Sequence, residues 1–509
     1  MFFPWLQRQL QLQLQLLIVL LLHHGAKAHW REPQRMYPVT EHFFNATIDH
    51  FNFRPTVEAT FPLRFLVNDQ YWQANGSGPC FFYTGNEANI WQFVNNSGFL
   101  FEAAKDFHAL VIFAEHRYYG HSKPFGNKQA LDDPYHISFL TVEQAMEDFN
   151  TLTLYIRDKW AMTPETPFIA FGGSYGANLA MWLRLKNPNL WAGAIASSAT
   201  PLKHILQETN GFAKIETEVY ANVSSECPQL VRTGWKELFQ HSLTKKGCLF
   251  VAQTLGLCHP LPDTHAANEV HGWISSALET MVQYGYPYPT QFYNPVPAYP
   301  FKVACEGMKF ANTGLEALRI ATNIYFNYTG QAGNCYDFES LVQREASSYW
   351  RRKGQQDHLF LQHTQIKQRR VLAHQTSIQG DEIDTDIAWS YQTCTEVYQP
   401  MPTNGVTDFD IPYTPNQTAY YASCWEQFNV KPRPNWEEMH FMGANIAAGS
   451  NIFLTSGQLD PWRAAVIQVK PKGAPELIVV CIIDNAAHHL DLRAANKLDP
   501  PSVVAICKE

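Results

Sequence analysis

The sequence predicts an α/β protein: a mostly parallel sheet covered by helices and interrupted by a large, mainly helical insertion. Three observations predict it. Short apolar runs alternate with helix-period segments between Ala59 and Ala196, the pattern of a parallel sheet with helices on both faces. The pattern resumes at Ile452-Phe453-Leu454-Thr455 and Leu477–Ile483, runs that are apolar at nearly every position, as doubly covered strands are. Between them, residues 201–430 hold most of the ten Cys and lack the alternation.

Phe65-Leu66-Val67, Phe81-Phe82-Tyr83 and Leu110-Val111-Ile112-Phe113-Ala114 read as strands, each ended by Gly, Asn or charged residues. The apolar positions Phe93, Phe99, Phe101 and Ala104 predict a helix within Ile90 to Asp106. Thr141 to Trp160 is a stronger helix, with Val142, Ala145, Phe149, Leu152 and Ile156 on one face and Thr141 as N-cap. Strand Pro167–Phe171, a Gly-rich turn, helix Ala177–Lys186 and strand Trp191–Ala196 follow. We expect a first catalytic part over 29–200, an insertion over 201–430 and a second catalytic part over 431–509. The insertion contains an aromatic and Pro-rich stretch from Tyr284 to Pro300, and a surface loop is expected near Arg369–Thr385, where apolar periodicity fades.

The first 28 residues read as a signal peptide. Leu16-Leu17-Ile18-Val19-Leu20-Leu21-Leu22 is too short to span a bilayer and precedes the small-x-small pattern Ala26-Lys27-Ala28. No later stretch is long and apolar enough for a spanning helix. Sequons at Asn45, Asn75, Asn95, Asn222, Asn327 and Asn416 fit the secretory pathway, with a lysosomal or extracellular destination. The Cys show no C-x-x-C pair and no zinc spacing, so disulfides are expected, and neither metal nor cofactor. A formal net charge of −8 argues against a nucleic-acid partner, because phosphates need an excess of Lys and Arg.

Gly172-Gly173-Ser174-Tyr175-Gly176 is a G-x-S-x-G sequence between an apolar strand and a helix of small and apolar residues. That setting is what a nucleophile elbow in an α/β-hydrolase sheet requires: the Ser sits on a strained turn, and the glycines let strand and helix approach. A hydroxyl needs a base to take its proton, and the base needs a third group to orient it. In this fold the chain order is Ser, acid, His. Asp460 follows the strand at 452–455, and His488 follows the strand at 477–483. His489 competes as the base, and Asp484 and Asp491 compete as the acid. The oxyanion needs two backbone donors, the Tyr175 N–H and one from the loop Gly85-Asn86-Glu87 after an early strand.

At this point the sequence resembles the family of lysosomal Pro-X carboxypeptidase and dipeptidyl peptidase 2, serine exopeptidases acting beside proline. The passages are Phe82-Tyr83-Thr84-Gly85-Asn86-Glu87, Glu115-His116-Arg117-Tyr118-Tyr119-Gly120, Gly172 to Gly176, Leu459-Asp460-Pro461-Trp462 and Ala487-His488-His489-Leu490-Asp491. The resemblance runs from about Phe44 to Val504. It implies Ser174, Asp460 and His488 as the triad, a helical insertion holding disulfides, and the pairs Cys227–Cys305, Cys258–Cys335 and Cys394–Cys424. It implies short proline-containing peptides as partners and allows a homodimer. Asp49-His50-Phe51-Asn52-Phe53, Tyr286-Pro287-Tyr288-Pro289-Thr290 and Cys335-Tyr336-Asp337 look closer to dipeptidyl peptidase 2, which implies release of N-terminal dipeptides. That enzyme holds the free amino terminus with an acidic residue, for which Asp381, Glu382, Asp384 and Asp386 are candidates.

Trp462, Asn178 and Glu87 are expected to contact substrate. Departures stand at Ala177-Asn178, where the family continues with Gly-Met, and at Arg463-Ala464-Ala465, where it has a small residue and glycines. The chain also ends at Glu509 without the family's closing helix, which would expose sheet surface. Two alternatives follow: a Pro-X carboxypeptidase, or a hydrolase-fold binding protein that no longer catalyses.

Overall fold

The computed structural model describes residues 37–508 apart from 55–59, 74–77, 127–129, 202–208, 332, 334 and 338–378; the side chains of 379–384 are not described. The expected signal segment, the sequon at Asn75 and most of the loop expected at 369–385 lie outside the described residues.

Eight strands form one sheet: β1 Thr40–Thr47, β2 Thr60–Asn68, β3 Cys80–Thr84, β4 Leu110–Ala114, β5 Phe168–Gly173, β6 Trp191–Ser197, β7 Ile452–Gly457 and β8 Ile478–Ile483. Their order across the sheet is β1-β2-β4-β3-β5-β6-β7-β8. β2 runs antiparallel to β1 and β4, and every other pairing is parallel. This is the α/β-hydrolase sheet. β3 and β4 are buried at every residue, as uninterrupted apolar runs demand. β1 was not expected. Its residues, Thr40 to Thr47, are exposed or half-buried except the buried Ala46 and carry no long apolar run, because an antiparallel edge strand buries little.

The helix expected across Ile90–Asp106 is two, Ile90–Asn96 and Phe99–Phe107. The break falls at Ser97-Gly98, where a Cβ on Gly98 would lie 2.4 Å from Ala494 Cβ and 2.5 Å from the Tyr37 hydroxyl. Close approach by distant chain, not local propensity, sets the break. Helix Val142–Lys159 begins as expected, with Thr141 Oγ1 accepting from Gln144 N at 3.2 Å.

The chain leaves the sheet after β6 and returns at β7. Helices Gly211–Val223, Glu226–His241, Lys245–Leu255, Ala266–Gln283, Pro300–Met308 and Gly314–Phe326 build a separate apolar core around Trp235, Trp273 and Tyr325. Helix Gln379–Thr395 occupies the end of the expected surface loop; Ala388 to Val397, with Cys424 and Phe428, pack against the sheet's own core, whereas Phe409 joins the insertion's. The block expected over 201–430 thus contributes to two cores. The three disulfides implied by the resemblance are present, with Cα–Cα distances of 5.5, 5.0 and 5.5 Å. Cys80, Cys248, Cys481 and Cys507 lie outside these three disulfides. A six-residue helix, Pro501–Ile506, stands at the C-terminal end, and Val503 is buried beside Tyr284, Tyr286 and Ile483. Edge strand β8 leaves Val479 exposed. No described helix is long and apolar enough to cross a membrane.

Candidate active site

Ser174 joins the end of β5 to helix Tyr175–Lys186 with φ 59° and ψ −126°, a region non-glycine residues rarely occupy. Its neighbours permit the turn. A Cβ on Gly172 would meet the Gly176 carbonyl oxygen at 2.1 Å, and one on Gly176 would meet the Thr84 carbonyl oxygen at 2.7 Å. Thr84 Oγ1 donates to the Gly176 carbonyl at 2.7 Å or the Phe171 carbonyl at 3.1 Å, tying the end of β3 to the elbow. The helix starts at Tyr175 rather than Ala177, because the single strained residue completes the turn.

Asp460 and His488 leave the carboxyl ends of neighbouring strands β7 and β8. Their loops are cross-linked: Gln458 N donates to Ile483 O at 2.9 Å, Leu459 N to Ala486 O at 2.9 Å, and Asn485 N to Gln458 Oε1 at 3.0 Å. A Cβ on Gly457 would strike the Ala486 carbonyl oxygen at 2.3 Å, so the loops touch backbone to backbone. Asp460 is fully buried and accepts from His488 Nδ1 at 2.7 Å through Oδ2 and from Trp462 N at 3.0 Å through Oδ1. A carboxylate can only accept, so His488 carries a proton on Nδ1, which leaves Nε2 as the ring nitrogen not engaged by Asp460. The insertion holds this histidine from the other side: His488 N donates to Gln283 O at 3.2 Å, and Tyr286 Oη donates to His488 O at 3.0 Å.

The competing residues are engaged elsewhere. Asp491 accepts from Ser197 Oγ and Thr455 Oγ1, both at 2.6 Å, and burial raises its carboxyl above the ordinary range. Asp484 is exposed. His489 packs its ring against Gly173, donates its N–H to Ser198 Oγ at 3.1 Å, and burial first, then the neighbouring His488 and Arg493, push its imidazole well down.

Ser174, Tyr175 and His488 face one cavity together with Asn86, Glu87, Phe93, Thr200, Gln283, Tyr284, Phe292, Tyr293, Trp389, Gln399, Trp462 and His489. Glu87 and Trp462, the expected substrate contacts, both line this cavity. Asn178 does not: it is buried behind Thr200, accepting from Thr200 N at 2.7 Å, and Thr200 is the residue at the cavity wall. Gly85 is also displaced from its expected role, since its N–H is spent on the Ala114 carbonyl at 2.9 Å in the continuing β3–β4 ladder. Asn86 and Glu87 are that loop's cavity-facing members. The sequence reading missed Gln283, Trp389 and Gln399; of the missed wall, only the aromatic residues at 284–293 left a compositional signal. Asp386 is buried and does not line the cavity; the side chains of Asp381, Glu382 and Asp384 are not described.

Beneath the elbow a buried network holds Tyr175. Tyr119 Oη donates to Gln392 Oε1 at 2.6 Å, and Gln392 Nε2 donates to Tyr175 Oη at 2.9 Å. Tyr175 Oη in turn donates to His116 Nε2 at 3.1 Å, while His116 Nδ1 donates to the Arg117 carbonyl at 2.7 Å. Burial depresses the His116 imidazole to about 4, keeping it neutral and able to accept. The Glu115–Gly120 motif is thus structural support. Arg117 makes two 2.6 Å bonds to Asp148 and also donates to the carbonyls of Thr47, Ile48 and Phe139.

Exposed sequons are at Asn45, Asn95, Asn222 and Asn416; Asn327 is half-buried. Among the described residues no group of His, Cys, Asp and Glu is arranged to hold a metal ion.

The chain is 36% identical to human lysosomal Pro-X carboxypeptidase over 91% of this chain and 85% of that protein, and 35% identical to the Bos taurus enzyme over 91% and 84%. Human thymus-specific serine protease is 25% identical over 87% of this chain and 80% of its own length. A solved prolyl endopeptidase chain covers only 33% of this chain and 22% of its own, at 15% identity and a TM-score of 0.22. The family model for serine carboxypeptidase S28 matches residues 46–508. The chain therefore belongs to the serine carboxypeptidase S28 family and is a serine-type exopeptidase.

Proposed function

We propose that Ser174, Asp460 and His488 form an acyl-transfer triad that hydrolyses short peptides at the bond beside proline. The carrying observation is the 2.7 Å bond from His488 Nδ1 to buried Asp460, at a cavity that also presents Ser174 on its strained elbow. His488 Nε2 takes the Ser174 proton as Oγ attacks the carbonyl carbon. The tetrahedral oxyanion is held by the N–H groups of Tyr175 and Asn86. His488 then protonates the leaving amine, leaving an acyl-Ser174 ester, and water activated by the same imidazole releases the acid. Aromatic walls from Trp462, Phe93, Tyr284 and Phe292 suit a flat, apolar pyrrolidine ring.

Release of N-terminal dipeptides is the reading the wall charge favours, since Glu87 at the cavity suits an ammonium better than a terminal carboxylate. A Pro-X carboxypeptidase is the second reading, and the relatives' own names favour it. The secretory pathway, lysosomal or extracellular, is the compartment we infer from the sequons, the leader and these relatives. The test offers free and N-acetylated X-Pro reporters beside N-blocked peptides ending in Pro-X. Cleavage of only the free reporter supports the first reading, and cleavage of only the blocked Pro-X peptides supports the second. Undiminished turnover by Ser174→Ala would sink the triad.

A further inference from the structure

A second cavity, of about 120 Å³, adjoins the catalytic one. Trp389 and Gln399 line both, and Phe212 of the second cavity meets Trp462 of the first edge to face, with ring centroids 4.9 Å apart. Its wall is acidic. Glu216 comes from helix Gly211–Val223, His271 and Glu279 from helix Ala266–Gln283, and Asp410 from the loop after Val406. No Lys or Arg is among the described residues that line it.

Two of these side chains are unfinished. Glu216 is only 7% exposed, and its Oε1 has no hydrogen-bond partner; His271 is 2% exposed, and its Nδ1 has none. His271 Nε2 contacts Asp410 Oδ1 at 2.5 Å, so the imidazole serves Asp410 and not Glu216. Glu279 Oε1 accepts from Gln283 Nε2 at 2.7 Å. Behind the wall, Asp408 is buried but saturated by the N–H groups of Asn404, Gly405 and Asp410 and the amide of Asn210. Burial, then Glu279, Asp410 and Asp408 in that order, hold the Glu216 carboxyl well above its ordinary range. A buried carboxyl without a donor is costly, and several carboxylates in one desolvated pocket cannot all ionise without a compensating charge. Phe212, Trp389 and Tyr413 supply aromatic surface beside it.

We propose that this cavity is a subsite for a cationic nitrogen of the bound peptide, an ammonium or guanidinium received by Glu216, Glu279 and Asp410 while the scissile bond lies at Ser174. The proposal rests on the peptidase reading of the catalytic cavity. The cation supplies the N–H donors that Glu216 Oε1 lacks and the charge that allows its carboxyl to ionise, so binding releases a proton. The nitrogen has two sources, the peptide's α-ammonium or a Lys or Arg side chain.

Calorimetry in a Ser174→Ala background, where peptides bind without turnover, separates them. The probes are Lys-Pro-Ala, norleucyl-Pro-Ala and the N-acetyl form of each. Wild-type Glu216 should bind at least one cationic probe tenfold or more tighter than acetyl-norleucyl-Pro-Ala, with a binding heat that varies with buffer ionisation enthalpy. Glu216→Gln should remove that preference and the buffer dependence while leaving acetyl-norleucyl-Pro-Ala within twofold. Loss of affinity on acetylation alone identifies the α-ammonium; loss on replacing Lys by norleucine identifies the side chain. Equal binding of all four peptides, or equal weakening of all four by Glu216→Gln, would overturn the subsite. Failure of every peptide to bind would overturn the peptidase reading itself, and the subsite with it.

Discussion

Asp460→Asn isolates the orienting role of the carboxylate from its structural one. The two oxygens have different partners: Oδ1 accepts from Trp462 N at 3.0 Å, and Oδ2 faces His488 Nδ1 at 2.7 Å. An asparagine can keep its carbonyl on Trp462 N, so the cap of the short helix Pro461–Ala465 survives. Its NH2 group then occupies the Oδ2 position and offers a proton where the histidine needs an acceptor. His488 must turn its lone pair to Nδ1 and place its proton on Nε2, the tautomer that cannot take a proton from Ser174. The loss expected is about 10⁴-fold in kcat, the size seen when a triad acid is replaced in this way. At 1.36 kcal/mol per decade that is about 5.4 kcal/mol of lost transition-state stabilisation. The assay is steady-state hydrolysis of a prolyl reporter, with the melting temperature as the structural control. Activity within tenfold of wild type would refute the triad assignment, and a loss matched by collapse of the melting temperature would refute the separation of roles.

Two further outcomes follow from buried charge. Glu396 is buried, accepts from Val142 N at 2.9 Å and lies beside Glu143; burial first and Glu143 second raise its carboxyl well above 4.5. The folded chain therefore keeps a proton that the unfolded chain gives up above about pH 4.5, so this contribution is full below that pH and lost as pH rises toward the folded value. Glu396→Gln should match wild type in melting temperature near pH 4 and exceed it progressively toward pH 7; an unchanging difference would refute the linkage. Arg117→Ala removes five hydrogen bonds and leaves Asp148 buried with only His50 at 2.8 Å, which should cost about 3–5 kcal/mol in denaturant unfolding. A loss under about 1 kcal/mol would mean that the ion pair contributes nothing beyond its own desolvation.

Several parts of the site were legible because they depend on near neighbours in the chain. The elbow at Ser174 needs an apolar strand before it, glycines around it and a helix after it, all within about twenty residues. The helix cap at Thr141 is equally local. Other parts were not legible. His488 and His489 are adjacent and chemically identical in sequence; only the position of Asp460 Oδ2 separates them. Gly85 sits in the loop where an oxyanion donor is expected, but its N–H belongs to Ala114, a partner chosen by strand pairing. Asn178 precedes the pocket in sequence yet serves Thr200, twenty-two residues later, which is the side chain at the cavity wall.

What the sequence by itself determined is the alternation of strands and helices and the serine turn, together with the chain order Ser174, Asp460, His488 on which the proposed triad rests. Each follows from side-chain periodicity, turn chemistry or residue type over a short span. What only the tertiary structure decided is which atoms meet: Asp460 with His488, Gln392 and His116 on Tyr175, and Glu216 beside Glu279 in the neighbouring cavity. Those meetings join residues up to hundreds of positions apart. Packing brings them together, and burial makes each hydrogen bond or missing donor count more than it would in water.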